Sequence, residues 1–143
     1  IESLMDVELE THHNETAIPS GALAGVADGL PAFGIVAAVL GIVITMGSLG
    51  GDTASIGHHV AAALVGTLLG ILLAYGVFAP MAKQLEHEAR EEGQFFICIK
   101  TTILASLQGY APQIAVEFGR KTIYSTERPG FAELEAFVKN TKS

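Results

Sequence analysis

Two long stretches without a charged side chain constrain this sequence more than any other feature. The first covers the 23 residues 29–51, and the second runs over 53–82 with only His58 and His59 as titratable groups. A helix of 23 residues is about 34 Å long, enough to cross a hydrocarbon core of about 30 Å. Because lipid offers the backbone no hydrogen-bond partners, such runs are typical of transmembrane helices. We therefore predict membrane spans at 29–51 and 58–82.

Chain length and the charges at the N-terminus argue against a soluble protein and against a signal peptide. A soluble protein could bury both helices, but a chain of 143 residues has too little material to cover them on all sides. A secretory signal peptide would begin with a basic segment, whereas residues 1–28 contain no Lys or Arg. Only 16% of all residues are charged, compared with about a quarter in soluble domains. The sequence thus favours an all-α membrane protein.

The basic residues indicate which way the spans run. All eight Lys and Arg residues lie after the second run, between Lys83 and Lys142. Basic residues next to membrane spans mark the cytoplasmic side. We therefore expect a helical cytoplasmic tail at 83–143, a short periplasmic loop at 52–57 and an acidic cytoplasmic segment at 1–28.

Helical periodicity and breakers predict the elements outside the spans. A short acidic helix is expected at 1–13, ending before a break at 14–19. The second span is expected to continue as a long helix to Leu107, where Gly109 and Pro112 interrupt it. Two further helices are predicted, one over 112–122 and an amphipathic one from Phe131 to Val138. The single cysteine, Cys98, excludes a disulfide within the chain.

Small residues recur along the second span at every fourth position, namely Ala62, Gly66, Gly70 and Ala74. They form a groove in which another helix backbone can approach closely, so we predict helix packing and homo-oligomeric assembly. The alternative is the general enrichment of glycine in membrane helices.

Polar chemistry inside the spans is sparse. Neither span contains a carboxylate, Lys or Arg, so an ion path would need an ionisable group from another chain or segment. The polar side chains are those of Thr45, Thr67 and Tyr75, and Thr67 could bind an ion, a water or a helix carbonyl. Glu8 and His12 are spaced i, i+4, but they belong to no HExxH motif and no Cys/His set, so the signal for a metal site is weak. We expect no enzymatic activity, no metal, no cofactor and no nucleic-acid partner.

Three stretches resemble the MotA family of flagellar motor stator proteins: LPAFGIVAAVLG (30–41), VGTLLGILLAYGVFAP (65–80) and GYAPQIAVEFGRKTIYSTERPGFAELE (109–135). The acidic opening ESLMDVELETHHNE is similar to the segment that precedes the family's third span. The resemblance implies spans three and four of a four-span subunit in the bacterial inner membrane. It also implies a ring of copies around a MotB-like dimer, whose aspartate supplies the ionisable group. ExbB and TolQ proteins share this energy-transducing architecture, but the ERPGF tail is not expected there.

The resemblance assigns roles to individual residues. Pro31 and Pro80 match the two prolines that couple ion passage to cytoplasmic movement in the family, and Thr67 matches its pore-side threonine. Ala38 stands where sodium-driven relatives have a second threonine, which favours protons as the transported ion. We place Tyr75 on the same path because it is polar.

The family's rotor contact lies between spans two and three. That loop is missing from this sequence, so contact with the rotor switch protein is expected through a segment outside it. Membrane lipid is the remaining expected partner. Two alternatives to a proton-conducting stator stay open: an ExbB/TolQ-like energy-transducing subunit, and a membrane anchor that oligomerises without conducting ions. A third, half of a solute transporter, is disfavoured by the lack of deep polar groups.

Overall fold

The computed structural model describes residues 1–47, 50 and 52–140. Every regular element in this part of the chain is a helix: α1 Glu2–Gly47, α2 Thr53–Leu73, a π turn Ala74–Phe78, α3 Ala79–Leu107, α4 Pro112–Thr122 and α5 Phe131–Asn140. Two continuous helices, Glu2–Gly47 and Thr53–Leu107, are long and apolar enough to cross a membrane. This confirms the predicted all-α membrane fold with two spans and a helical tail.

The chain divides into two compact units. One contains residues 17–86, which include both apolar runs, and we call it the hairpin unit. The other contains residues 1–16 and 87–143, and we call it the tail unit.

The predicted break at 14–19 is wrong, because α1 continues through Pro19. Proline removes one helical N–H and leaves the carbonyl four residues earlier, here that of Glu15, without its donor. Both Glu15 and Pro19 are exposed, so that carbonyl faces solvent and does not become a buried unsatisfied group. The helix formers on both sides then carry the helix through.

Residues 53–57 of the predicted periplasmic loop are helical. Helix α2 already begins at Thr53, with Asp52 in an extended conformation at its N-cap. A carboxylate at this position interacts favourably with the positive end of the helix dipole. Residues 48, 49 and 51 of the predicted first span and loop, and the end of the tail after residue 140, lie outside the described residues. The membrane boundaries themselves stay predictions.

The end of α3 follows from its sequence. Gly109 has φ +89°, a left-handed conformation that only glycine adopts without cost. The N–H of Tyr110 donates to the carbonyl of Ala105 and that of Gly109 to Ser106, which closes the helix end. Pro112 then occupies the first turn of α4, where its missing N–H costs nothing. The predicted interruption and the predicted helix over 112–122 are both confirmed.

Close packing in the tail unit joins α3 to α4. A Cβ added to Gly119 would overlap the Thr102 hydroxyl and lie 3.2 Å from the Cys98 carbonyl oxygen. The Gln94 side-chain amide donates to the Thr122 carbonyl. The absence of a side chain at Gly119 therefore lets α4 pack directly on the backbone of α3.

Residues 1–16 of α1 lie along α3 in the same unit. Lys100 forms an ion pair with Asp6. The His12 ring packs edge-on against Phe96 with centroids 4.7 Å apart, and its Nε2 lies 3.6 Å from Glu92. These polar contacts are partly exposed, so each contributes little to stability.

Candidate functional site

The two apolar helices of the hairpin unit pack through their small residues. A Cβ added to Gly70 would lie 2.7 Å from the Leu30 carbonyl oxygen and 3.1 Å from the Gly34 Cα. A Cβ added to Gly41 would lie 2.5 Å from the Cβ of Ala63. The helices therefore approach backbone to backbone, in the manner of small-residue packing in membranes.

We call the line of closest approach the seam. It consists of Gly34, Ala38, Gly41 and Thr45 on α1, and of Ala63, Thr67, Gly70 and Ala74 on the opposite helix. The spacing alternates between four and three residues on both sides, which is the heptad pattern of a left-handed helix pair. Gly34, Thr45, Ala63, Gly70 and Ala74 are buried. The seam is thus a continuous small-residue contact along both spans.

The structure places three of the four predicted packing residues at or next to the seam. Gly70 and Ala74 are buried in it, and Gly66 lies beside it, where an added Cβ would meet the Ala37 Cβ at 3.2 Å. Ala62 is exposed, and its neighbour Ala63 makes the contact instead. A strict four-residue repeat drifts around an α-helix by about 40° per step, because each residue turns about 100°. Within this chain, Ala62 therefore lies off the contact line.

Large apolar side chains point away from the seam. Phe33, Val39, Leu64 and Leu68 are each more than half exposed in the isolated chain. Exposing this much apolar surface to water is unfavourable, but such a surface is suited to contact with lipid or with further helices. The hairpin unit accordingly has a small-residue interior and an apolar exterior.

Thr67 connects the two helices through a hydrogen bond. Its hydroxyl Oγ1 donates to the Gly34 carbonyl oxygen across the seam at 3.2 Å. Of the three partners considered for Thr67, the structure shows the helix carbonyl. The hydroxyl oxygen also carries lone pairs and can accept a further hydrogen bond. Its role on an ion path stays a prediction.

Ala38 lies on the α1 side of the seam and is partly buried. Its methyl group gives an ion no oxygen ligand. Tyr75, in contrast, is 64% exposed and points away from the seam. The structure therefore brings Thr67 and Ala38 to the same helix pair but does not bring Tyr75 to it.

Pro80 is the second residue after the π turn. The N–H of Ala79 donates to the Ala74 carbonyl, five residues earlier. A proline ring crowds the carbonyl four residues before it, which is that of Gly76. A wider turn gives this carbonyl room, and π turns are frequent at functional positions. Pro31 lies inside α1 and is partly buried, next to Leu30, whose carbonyl lies closest to Gly70.

The π turn inserts one residue into the helix and moves its buried face. Ala82 is 7% exposed, whereas Met81 is 51% exposed. An uninterrupted heptad from Ala74 would instead place position 81 on the buried side. The extra residue thus keeps the contact face turned inward as the helix leaves the apolar run.

Ionisable groups are scarce in the described part of the spans. From Gly29 to Gly47 there is none, and from Thr53 to Ala82 there are His58, His59 and the phenol of Tyr75. Among the described residues, no group of three or more His, Cys, Asp or Glu side chains is arranged to hold a metal ion. The seam can orient an ion or water through hydroxyl and carbonyl oxygens, but it contains no carboxylate.

The tail unit contains a set of interactions that sequence reasoning missed. Arg120 donates to both carboxylate oxygens of Glu117, at 2.6 and 2.5 Å, and to the Pro129 carbonyl at 2.9 Å. Arg128 donates to the Ile123 carbonyl at 2.9 Å, next to the C-terminal end of α4. The bidentate hydrogen bond from Arg120 lowers the pKa of Glu117.

These contacts account for the ERPGF stretch of the tail in structural terms. The two arginines fix the turn between α4 and α5, and Val116 of α4 lines a small cavity together with Phe131 and Leu134 of α5. The only signal in the sequence was the specificity of the motif itself, which indicates a constraint but not its geometry.

Comparison with known proteins identifies the family. Residues 1–96 match the model of the MotA/TolQ/ExbB proton channel family, which is well over half of the chain. This chain belongs to the MotA/TolQ/ExbB family. The match includes both apolar helices, the seam and Pro80.

Curated relatives of this MotA/TolQ/ExbB chain carry names from motility. "Motility protein A" of Escherichia coli is 54% identical over 143 residues, which is 100% of this chain and 48% of the relative. "Chemotaxis protein LafT" of Vibrio parahaemolyticus is 38% identical over 138 residues, covering 96% of this chain and 48% of the relative. The chain thus spans about half the length of the relatives that it matches.

Two solved structures share the fold of this MotA/TolQ/ExbB chain. The solved structure of C. jejuni MotAB has a TM-score of 0.79 and 20% identity, and the match covers 90% of this chain and 50% of that one. The flagellar MotAB stator complex from Bacillus subtilis gives a TM-score of 0.73 and 24% identity over 93% of this chain. The all-α membrane fold is therefore that of MotA proteins.

Proposed function

We propose that this chain is the part of a flagellar stator subunit that carries its third and fourth membrane spans. With a MotB-like partner, the subunit conducts protons across the bacterial inner membrane and converts the flow into torque on the rotor. The observation that carries the proposal is the 54% identity to Motility protein A over the whole chain. This identity includes residues 97–143, beyond the family match, which favours the motility branch over an ExbB- or TolQ-like role.

The geometry of the hairpin unit supports a shared ion path. Its spans have oxygen ligands at the seam but no carboxylate, so another chain or a segment outside this one must supply the group that binds and releases protons. Its exterior is apolar, which suits packing against further copies in a ring. In this arrangement the tail lies in the cytoplasm, and rotor contact is made by a segment outside this chain. No cofactor and no enzymatic activity are part of the proposal.

Proton flux tests the conducting role directly. The full-length subunit is co-expressed with its MotB-like partner in membrane vesicles, and proton uptake is measured under an imposed membrane potential. We expect uptake that depends on both proteins. An oligomerising anchor would assemble but give no uptake above vesicles that contain the partner alone.

The choice of ion is tested by swimming assays. Ala38 offers no oxygen for a desolvated sodium ion, so we expect motility in sodium-free medium that stops when a protonophore is added. A strict sodium requirement would contradict the role given to Ala38.

The coupling role of the prolines is tested by substitution. Pro31→Leu and Pro80→Leu should abolish swimming while leaving membrane insertion intact, because Pro31 is next to Leu30, which contacts Gly70, and Pro80 lies at the end of the π turn. Pro19→Leu is the matched control, since Pro19 lies in the same helix as Pro31 but is exposed. Normal swimming in both test variants would exclude the coupling role.

A further inference from the structure

The π turn before Pro80 leaves one backbone carbonyl without its usual hydrogen bond. The carbonyl of Tyr75 would accept from the N–H of Ala79 in an α-helix and from that of residue 80 in a π turn. The N–H of Ala79 donates to the Ala74 carbonyl instead, and Pro80 has no N–H. The helix backbone therefore supplies neither of these two donors to the Tyr75 carbonyl oxygen.

The carbonyl of Gly76 is affected by the same proline. Its α-helical donor would be the N–H of residue 80, which proline lacks. Helix carbonyls point towards the C-terminal end and give that end a partial negative charge. Two consecutive peptide groups thus present acceptor oxygens towards Pro80, and we call the carbonyl oxygens of Tyr75 and Gly76 the carbonyl pair.

The carbonyl pair lies on the exterior of the hairpin unit. Tyr75 is 64% exposed, and Gly76 and Pro80 are exposed as well. Gly76 has no side chain to shield its backbone, and a Cβ added there would meet the Leu72 Cδ1 atom at an ordinary contact distance of 3.6 Å. A hydrogen-bond donor from outside the hairpin unit can therefore approach this stretch of backbone.

The apolar surroundings limit what this donor can be. Lipid donates no hydrogen bonds, so carbonyls freed within a span are tolerated where they meet protein or line a water-filled cavity. Freed carbonyls and the C-terminal ends of half-helices bind Na⁺ or H⁺ in membrane transporters. Two carbonyl oxygens are too few to replace the water shell of a sodium ion, whereas a hydronium ion has only three O–H groups to satisfy.

We propose that the carbonyl pair binds the transported proton as a hydronium ion at the cytoplasmic end of the second span. Two of its O–H groups donate to the carbonyl oxygens of Tyr75 and Gly76, and the third donates to a water molecule. The proton leaves to that water, which becomes hydronium while the bound ion becomes water, so no oxidation or reduction takes place. Because the site depends on the proton-conducting function proposed above, it adds an exit step to that function. Tyr75 then acts through its backbone carbonyl, and Pro80 acts by withholding a donor.

Two substitutions of Pro80 separate the missing donor from the proline ring. Pro80→Ala adds an N–H that can donate to the carbonyl pair. Pro80→lactic acid, introduced by nonsense suppression, has the same methyl group but an ester oxygen in place of the N–H. Proton uptake is measured in vesicles that contain the full-length subunit and its MotB-like partner. We expect uptake with lactic acid to exceed uptake with alanine by about 10- to 100-fold, the effect of one hydrogen bond to a charged group. Equal uptake in the two variants would overturn the site.

Ala61→lactic acid is the matched control for the ester linkage. Ala61 is exposed and lies in α2, well before the π turn. We expect this variant to keep wild-type uptake, because the ester changes neither oxygen of the carbonyl pair.

A second measurement uses the wild-type complex and does not depend on how a variant folds. The Tyr75 carbonyl is labelled with ¹³C and ¹⁸O through tyrosine, and its infrared band is assigned by comparison with Tyr75→Phe. Binding of hydronium should move this band to lower frequency as the medium is acidified. A band that does not respond to pH would overturn the inference, because a neutral water or a side chain of the partner would then be the donor. Failure of the wild-type complex to take up protons would instead refute the proposed function, so the two failures can be told apart.

Discussion

Gly70→Ala is the substitution that tests the seam most directly. The added methyl would lie 2.7 Å from the Leu30 carbonyl oxygen and 3.1 Å from the Gly34 Cα. Both neighbours are backbone atoms, so no side chain can rotate away. An ordinary carbon–oxygen contact needs about 3.3 Å, which requires the helices to separate locally by about 0.6 Å.

The size of the effect follows from this separation. Gaps of about 0.5–1 Å remove a quarter to a half of the dispersion energy of each contact, and overpacking usually costs about 1–3 kcal/mol. The Thr67–Gly34 hydrogen bond is stretched as well, and such bonds contribute about 0.6 kcal/mol in membranes. Alanine recovers about 1 kcal/mol of helix propensity. We expect a net loss of about 1–2 kcal/mol, which is a 5- to 30-fold change in the folded fraction.

Energy transfer between two dyes can follow opening of the hairpin. The dyes are attached to Gly25→Cys and Lys83→Cys, two exposed positions in the hairpin unit, with Cys98→Ser in the background. The dye signal is recorded as the mole fraction of SDS rises, and the midpoint of opening is compared between variants.

Gly57→Ala is the matched control for this substitution. Gly57 lies in the same helix as Gly70 but has nothing within 4 Å of an added Cβ. We expect its midpoint to stay the same or rise, in line with a gain of up to about 1 kcal/mol. If Gly70→Ala opened no earlier than Gly57→Ala, direct backbone packing would not be what holds the hairpin unit together.

Two further predictions concern the tail unit. Gly119→Ala should destabilise α4 by about 1–3 kcal/mol and raise the alkylation rate of Cys98, whereas Gly93→Ala, where nothing lies within 4 Å of an added Cβ, should leave that rate unchanged. Because Arg120 lowers the pKa of Glu117, this pair stabilises the fold at neutral pH, and its contribution is lost as pH falls through the lowered pKa. Thermal unfolding should thus be less acid-sensitive in Glu117→Gln, and an unchanged acid sensitivity would contradict the role of the pair.

Local patterns predicted the helices well where strong signals marked their ends. Gly109 and Pro112 gave the end of α3 and the start of α4, because the backbone conformation of each is restricted by its own chemistry. The helix break predicted at Pro19 was wrong, because a proline in an exposed helix removes one hydrogen bond that solvent replaces. Pro112 begins a helix and Pro19 lies inside one, and the local sequence alone does not show this difference.

The sequence predicted that the second span packs through small residues, but not which residues form the seam. Small residues on the second span indicated close packing, but a four-residue repeat cannot stay on one side of an α-helix. The alternation that includes Ala63 and Thr67 became visible only with the opposite helix in place. The contacts of Arg120 with Pro129 and of Arg128 with Ile123 were missed for a similar reason, because their acceptors are backbone carbonyls, which have no sequence signature.

The π turn has a consequence for how this helix can be compared with others. It contains one residue more than an α-helix of the same length, so the heptad register before the turn, at Leu73, differs from the register after it, at Ala82. Heptad numbering that crosses Ala74–Phe78 must be advanced by one position. A single-residue deletion within the turn would bring both parts into one phase and rotate one part by about 100° relative to the other. Gaps in an alignment at this point therefore change orientation as well as length.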